Sequence, residues 1–229
     1  MTTFETIADV MAARSLGLST GLPQLDRIAP LGPGHLAVLI GASGVGKSRV
    51  AKHITNTVDC TNERGVLTVT GGHTTVDALD SSVAFRSPAL VVVDPLTTLA
   101  SRANPNNADE YAMQYPVHPA ELGRLAEGLT TIARTQSVPI LACHRFTPIR
   151  DSVTGEIVST EAANPLLDQA HVVVVVRVLA DPHHVGLEIV RNRLGPVTTL
   201  RVPLPPLTEA ESDSDGATPF VPAPRSPLS

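Results

Sequence analysis

Tryptophan is absent from this 229-residue chain and aromatic residues make up only 3% of it. A core must therefore be assembled from Val, Leu, Ile and Ala rather than from rings. Cysteine is scarce too: Cys60 and Cys143 are the two, too few for a disulfide framework, and no signal peptide precedes them, which points to the cytosol. No long apolar run is present. The stretch from His171 through Val172–Val176 to Arg177 is far too short to span a bilayer and reads as a buried strand, so no membrane association is expected. Lysine is nearly missing, with Lys47 and Lys52 alone among 17 basic residues; arginines, whose planar forks suit phosphate, are left for charge recognition. An excess of positive charge is also lacking. The net charge is −5, and the four acids (Glu209, Glu211, Asp213, Asp215) and one base (Arg225) from Leu204 onward account for −3, leaving −2 on the body. Such a body has no global attraction for nucleic acid, and any strand it meets must touch a local patch, such as the channel of a ring.

What the chain does have is an uninterrupted phosphate-binding pattern. Gly41-Ala42-Ser43-Gly44-Val45-Gly46-Lys47-Ser48 is a complete G-x-x-x-x-G-K-[ST]. The apolar run Leu36–Ile40 precedes it and the helix-compatible Arg49–Ile54 follows. A strand feeding a glycine loop that opens a helix points backbone N–H groups and the positive end of the helix dipole at one place. ATP phosphates fit that place, with Lys47 reaching the β- and γ-phosphates and the Ser48 hydroxyl holding Mg²⁺.

The remaining pattern predicts an α/β sheet with helices on both faces and late hairpins. Phe4, Ile7, Val10 and Met11 have helical spacing and form a short N-terminal helix, either a lid on its own core or an arm onto a neighbour. Residues 19–34 are turn-rich. Strands are expected at 65–70, 89–94, 138–143, 171–179, 185–191 and 197–203, with helices at 74–84 and 119–136. Polar loops occupy 101–118 and 145–168. From 204 the chain is rich in Pro, Ser and acids and is expected to be disordered. The organisation is thus an N-terminal helix or arm at 1–18, one domain at 19–203 and a tail at 204–229, with the tail a candidate contact for a protein partner.

Three further features bear on chemistry. Val91-Val92-Val93-Asp94 is an apolar strand ending in an acid, either a Mg²⁺-holding carboxylate beside the phosphate loop or a strand-end Asp starting a turn with Pro95. His144 directly follows the fourth expected strand on the γ-phosphate side, and is either a phosphate sensor or a surface histidine. In Arg191-Asn192-Arg193-Leu194-Gly195-Pro196 the two arginines point the same way on a strand, and either reach a phosphate held by a neighbouring subunit or are solvated.

Taken in order, these residues resemble the RecA-like motors, most closely the DnaB-type hexameric helicases and the RadA branch. Thr20-Gly21-x-x-x-Leu25-Asp26 is similar to the family's T-G-x-x-x-L-D entry, Gly41–Ser48 to its Walker A, and Leu90–Asp94 to its Walker B. Pro139–His144 resembles the strand carrying its Gln or His sensor, Leu167–Val173 its Q-D-A-D-V segment, and Arg191–Pro196 its K-x-R-x-G-P hairpin. The resemblance spans roughly residues 19–203. It implies a RecA-like P-loop NTPase core and an ATPase of DNA helicase type acting on single-stranded DNA in replication or recombination. It further implies a homo-oligomeric ring or filament with ATP between subunits: Lys47, Ser48, Asp94 and His144 from one, Arg191 and Arg193 from the next. Arg102, Arg145 and Arg150 would face the DNA.

The departures are equally specific. In the family, the strand matching 66–70 leads into a glutamate that activates the attacking water. Here Gly72 or His73 takes that place; the nearest acids are Asp77 and Asp80, and the next glutamate is Glu110. The stretch from this strand to Walker B is shorter than in full motors, and a compact core without the helicases' separate N-terminal domain is expected. Losing a positioned general base costs about two to four decades of rate, whereas binding rests on the P-loop and Mg²⁺. The other class of function is therefore an ATP-binding regulator or loader of a partner with little hydrolysis. A small-molecule kinase is disfavoured, because the 185–203 hairpin has no evident purpose as a lid over an acceptor.

Overall fold

The computed structural model describes residues 17–70, 74–100, 119–145, 149–150, 157–159 and 165–204. The expected N-terminal helix, the 101–118 loop with Arg102, the Gly71–His73 segment and the acidic tail from 205 lie outside these residues. Among the described residues no helix is long and apolar enough to cross a membrane.

A seven-stranded sheet dominates. Its parallel part comprises β1 (Leu36–Gly41), β2 (Val66–Val69), β4 (Leu90–Val93), β6 (Ile140–Arg145) and β9 (Val172–Val178). β10 (His184–Asn192) and β11 (Thr198–Pro203) add an antiparallel hairpin, giving the order β11-β10-β9-β1-β6-β4-β2. Strands covered on both faces should be continuously apolar, and every residue of β1 and β4 is buried, as are the first five of β6 and of β9.

Helices lie on both faces. On one, α2 (Lys47–Thr61) buries Val50, Ala51, Ile54 and Val58 against Leu39, Val92, Leu141 and Val174. On the other, α3 (Val76–Arg86) and α4 (Pro119–Thr135) bury Leu79, Val83, Leu125, Leu129 and Ile132 against Val38, Ile40, Val91 and Ile140. α3 and α4 meet closely: a Cβ on Gly128 would lie 2.6 Å from Val76 Cγ1. Both cores are aliphatic, as the shortage of aromatics requires. Each fully buried Leu, Ile or Val contributes about 1.5–3 kcal/mol, and Phe85 stands 75% exposed instead.

The boundaries depart from expectation where local sequence is weakest. The short helices α1 (Pro23–Ile28) and α5 (Pro165–Gln169) occupy segments expected to be turn or loop. The small pairs β3 (Thr74–Thr75) with β5 (Leu99–Ala100), and β7 (Ile149–Arg150) with β8 (Ile157–Ser159), also escape period-based reading, being too short to show one. β6 continues to Arg145, so His144 lies inside the strand. Leu204, assigned to the tail on composition, is buried and donates its N–H to the His183 carbonyl.

Candidate nucleotide site

The P-loop leaves the carboxyl end of β1 and turns directly into α2. Gly44 (φ 77°) and Gly46 (φ 96°) adopt the left-handed backbone that only glycine takes at little cost. A Cβ built on either would meet nothing within 4 Å, so the space over the loop is open. Gly41 is different: its Cβ would lie 2.8 Å from Val45 Cγ2 and 3.0 Å from the Val176 carbonyl oxygen, because the loop starts pressed against β9. The first turn of α2 has neither a side-chain cap nor an acidic residue. Its orphan N–H groups and dipole therefore face that open space with no anion supplied by the helix itself. Lys47 Nζ donates to the Gly41 and Ala42 carbonyls at 3.0 and 2.7 Å, holding the ammonium in the loop. Burial lowers its pKa, and the Asp94 charge opposes that shift. Ser43 and Ser48 are exposed at the rim. Open cradle, helix-end amides and a held cation together fit a phosphate chain with its Mg²⁺.

Sheet register brings two more expected residues here. β4 pairs with β6 at Val93↔Ala142, so Asp94, one step on, lies beside Cys143. β1 pairs with β6 at Ile40↔His144, setting His144 against the last residues before the loop. Asp94 is half-buried and its N–H donates to the Val69 carbonyl. His144 is no surface histidine: it is 4% exposed, and its Nδ1 finds no hydrogen-bond partner among the described residues. Burial, with the Lys47 charge, pushes its pKa down to about 4. A neutral imidazole with an unmet ring nitrogen at the strand end beside the phosphate loop can read a ligand there.

The Thr20–Asp26 lead-in proves to be a clamp on this site. Asp26 accepts from the Thr20 N–H and hydroxyl (3.1 and 2.5 Å to Oδ1) and from the Ser19 hydroxyl. Thr20 is wholly buried. This knot presses Gly21 onto α2, where His53 Nε2 lies 3.4 Å from the Gly21 carbonyl. One residue that sequence reasoning passed over also ties the site together: Arg49, in the first turn of α2, donates to the Pro182 carbonyl (3.0 Å) and the Leu204 carbonyl (2.6 Å). Nothing local in the sequence signals that contact, since it links the P-loop helix to the β9–β10 turn across more than a hundred residues.

Arg191 and Arg193 are placed together, but not at this site. Arg191 pairs with Val173, which pairs with Val38 at the opening of β1. The arginines thus sit at the amino ends of the parallel strands, whereas the P-loop leaves the carboxyl end. Three steps along the strand carry Val38 to Gly41, roughly 10 Å, and Arg193 lies farther still. Both guanidinium groups turn to α5: Arg191 Nη1 donates to the Leu167 carbonyl and Asp168 Oδ1 (3.0 Å each), Arg193 Nη2 to the Asp168 carbonyl (2.5 Å). Arg193 stands in the bend after β10, and the β9–β10 register shifts between Ile189 and Arg191, so their shared partner α5 is not a product of strand alternation. Behind them His35 and His171 stack with centroids 5.1 Å apart, and the Arg193 N–H donates to the His171 carbonyl. Arg145 is exposed at the end of β6.

No protein-family model matches this sequence, and no curated protein matches it. Solved structures do. One, described as an ATPase domain, superposes with a TM-score of 0.61 over 81% of this chain and 87% of its own, at 13% identity. A DnaB-like replicative helicase, described with its interactions with primase, gives 0.61 at 14% identity, over 81% of this chain and 59% of the helicase. The RadB recombinase gives 0.53 at 19% identity, over 85% and 97%. With the P-loop at the carboxyl end of a mostly parallel sheet flanked by helices, the chain has the RecA-like P-loop ATPase fold.

Proposed function

We propose that this protein binds ATP with Mg²⁺ and hydrolyses it between copies of itself. The observation that carries the reading is the split between the two ends of the sheet: Lys47, Ser48, Asp94 and His144 gather at the carboxyl end, and Arg191 with Arg193 at the amino end. The arginines cannot serve the P-loop of their own chain across the sheet, so a site using both sets takes them from a neighbouring copy in a ring or filament. In that site the loop amides of Ala42–Gly46 bind the phosphates and Lys47 neutralises the β- and γ-oxygens. Ser48 and Asp94 hold Mg²⁺, which supplies charge neutralisation on the transferred group. His144 reports the γ-phosphate to the chain that follows β6. The neighbour's arginines stabilise charge on the leaving phosphoryl group.

The DnaB-like and RadB resemblances extend the proposal to single-stranded DNA, in replication or recombination, with Arg145 and the arginines of the adjoining loops facing the strand. The deciding experiment is mixed complementation. Lys47→Ala and Arg193→Ala are each expected to be inactive in ATP turnover, and mixing them is expected to restore part of the activity through hybrid sites. Absence of any restoration removes the intersubunit site.

A second reading has its own support. Asp94 is the one carboxylate among the described residues that perturbs Lys47, and the segment where the family's glutamate would stand carries glycine and histidine. That combination favours a protein that holds ATP and assembles or loads a partner, through the acidic tail, with little turnover. Nucleotide-dependent oligomerisation together with undetectable hydrolysis, with and without DNA, is the result that selects it.

A further inference from the structure

Asp168 is the acid on which both arginines of the amino end meet, and no step of the proposed reaction uses it. It sits on α5, whose mount is firm: Leu166 and Leu167 are buried in the same core as α4, and the Ala170 N–H closes on the Leu166 carbonyl. The Leu167 and Asp168 carbonyls fall at the end of this helix, where carbonyls lack helical partners and attract cations. Arg191 Nη1 donates to the Leu167 carbonyl and to Asp168 Oδ1, and Arg193 Nη2 to the Asp168 carbonyl. Each guanidinium is thus held at one corner. Among the described residues, Nε and Nη2 of Arg191 and Nε and Nη1 of Arg193 make no hydrogen bond. Arg177 in the same sheet is a contrast: it spends Nε and Nη2 together on Glu188 across the β9–β10 pair, a two-point grip on one carboxylate.

We propose that Asp168 is a positioning residue for Arg191: its carboxylate, with the Leu167 carbonyl, fixes Nη1 so that the rest of the fork is presented to the terminal phosphate of a nucleoside triphosphate on a neighbouring copy. This rests on the intersubunit reading above. Two acceptors on one nitrogen set the plane of the guanidinium, and a planar fork oriented before contact loses less freedom when it bonds a phosphate. As an ion pair its value to stability is small: the side chains of Arg191 and Asp168 are 36% and 67% exposed, and pairs so open to water are screened. Its worth lies in aim. A charge-assisted hydrogen bond lost whole costs about 10- to 100-fold in affinity. With the Leu167 carbonyl still bonded to Nη1, loss of the carboxylate misaims that bond rather than removing it, and about 3- to 10-fold is expected.

The test is sedimentation of the full chain with Mg²⁺ and a non-hydrolysable ATP analogue. Asp168→Ala is expected to need about 3- to 10-fold more protein for half-maximal self-association. With ADP, which offers the arginine no terminal phosphate, its self-association is expected to equal that of the wild type, and so is its urea midpoint. Asp168→Asn keeps an acceptor oxygen and is expected within about twofold of the wild type throughout. In an Arg191→Ala background, Asp168→Ala is expected to change nothing further. The positioning role is overturned by an alanine variant that assembles like the wild type, or more readily, as it would if the carboxylate merely restrained the arginine. An equal loss with ADP, or an effect that persists without Arg191, overturns it too. A wild type that fails to self-associate with the analogue overturns the intersubunit site itself, and the role with it, so the two failures are distinguishable.

Discussion

Gly21→Ala is the substitution whose cost the structure specifies most fully. Gly21 has φ 74°, and a Cβ there would stand 2.5 Å from Thr57 Oγ1, 2.9 Å from His53 Nε2 and 3.2 Å from Thr57 Cγ2. Two separate penalties follow. A side chain in the left-handed region costs about 1–2 kcal/mol, and overpacking against a helix costs about 1–3 kcal/mol, so the sum is about 2–5 kcal/mol. Thr57→Ala separates them. By itself it removes a hydroxyl bonded to the His53 carbonyl of its own helix and should change stability by less than about 0.5 kcal/mol. In the double variant two of the three close contacts disappear, leaving the His53 ring tip, the far end of a flexible side chain, to move aside. The cost should then fall towards the backbone share, about 1–2 kcal/mol. Urea unfolding of the four proteins in the cycle measures this directly. A Gly21→Ala cost below about 0.5 kcal/mol, or one that Thr57→Ala does not reduce, refutes the account of the lead-in as a clamp on α2.

Other perturbations follow from the same geometry. His144 and His171 are both held at about 4, against about 6.5 when unfolded. Their neutral-form stability is therefore complete above pH 6.5 and is lost as pH falls through 6.5 toward 4. Between pH 7 and 5 His144 accounts for about 2 kcal/mol of that loss and His171, shifted alike, for a similar share; His144→Gln should flatten the slope of urea midpoint against pH, an unchanged slope refuting it. Arg49→Ala should loosen the Pro182 and Leu204 attachments, visible as faster backbone exchange at 181–184 and 204 with the sheet unchanged; equal exchange in both proteins counts against the link. If the glycine and histidine at 72–73 do stand where a base is needed, turnover should remain about two to four decades below that of motors that keep a positioned carboxylate, while analogue binding stays intact. A turnover within tenfold of theirs argues that Asp77 or Asp80 has taken the role.

Residues whose chemistry depends on near neighbours were legible in the sequence, and those that depend on strand pairing were not. Gly41–Ser48 declared itself because loop, amides and helix start are contiguous. The apolar runs of β1, β4, β6 and β9 likewise announced a sheet covered on both faces. His144 could be placed at the end of the fourth strand, but its burial could not, because it comes from β6 continuing one turn of the pleat farther beside β1. Cys143 gained its relation to Asp94 only when β6 paired with β4, and Arg49 its partners only when the chain returned from β9 and β11.

The arginine pair makes the same distinction at larger scale. Alternation predicts a common direction for Arg191 and Arg193; both do bond to Asp168, but Arg193 does so from the bend after β10 and not from the strand. What no periodicity could give was the end of the sheet on which they stand. Topology decides that: β9 runs with β1, β10 runs back, and the hairpin tip is returned to the edge where β1 begins. A phosphate loop must lie where β1 ends. The distance between the two groups is therefore set by the length of the strands themselves, and no side-chain rearrangement within one chain closes it. If the arginines act on a nucleotide, the contact must be made between chains, which is why hybrid sites in mixed Lys47→Ala and Arg193→Ala protein are the measurement on which the intersubunit reading stands.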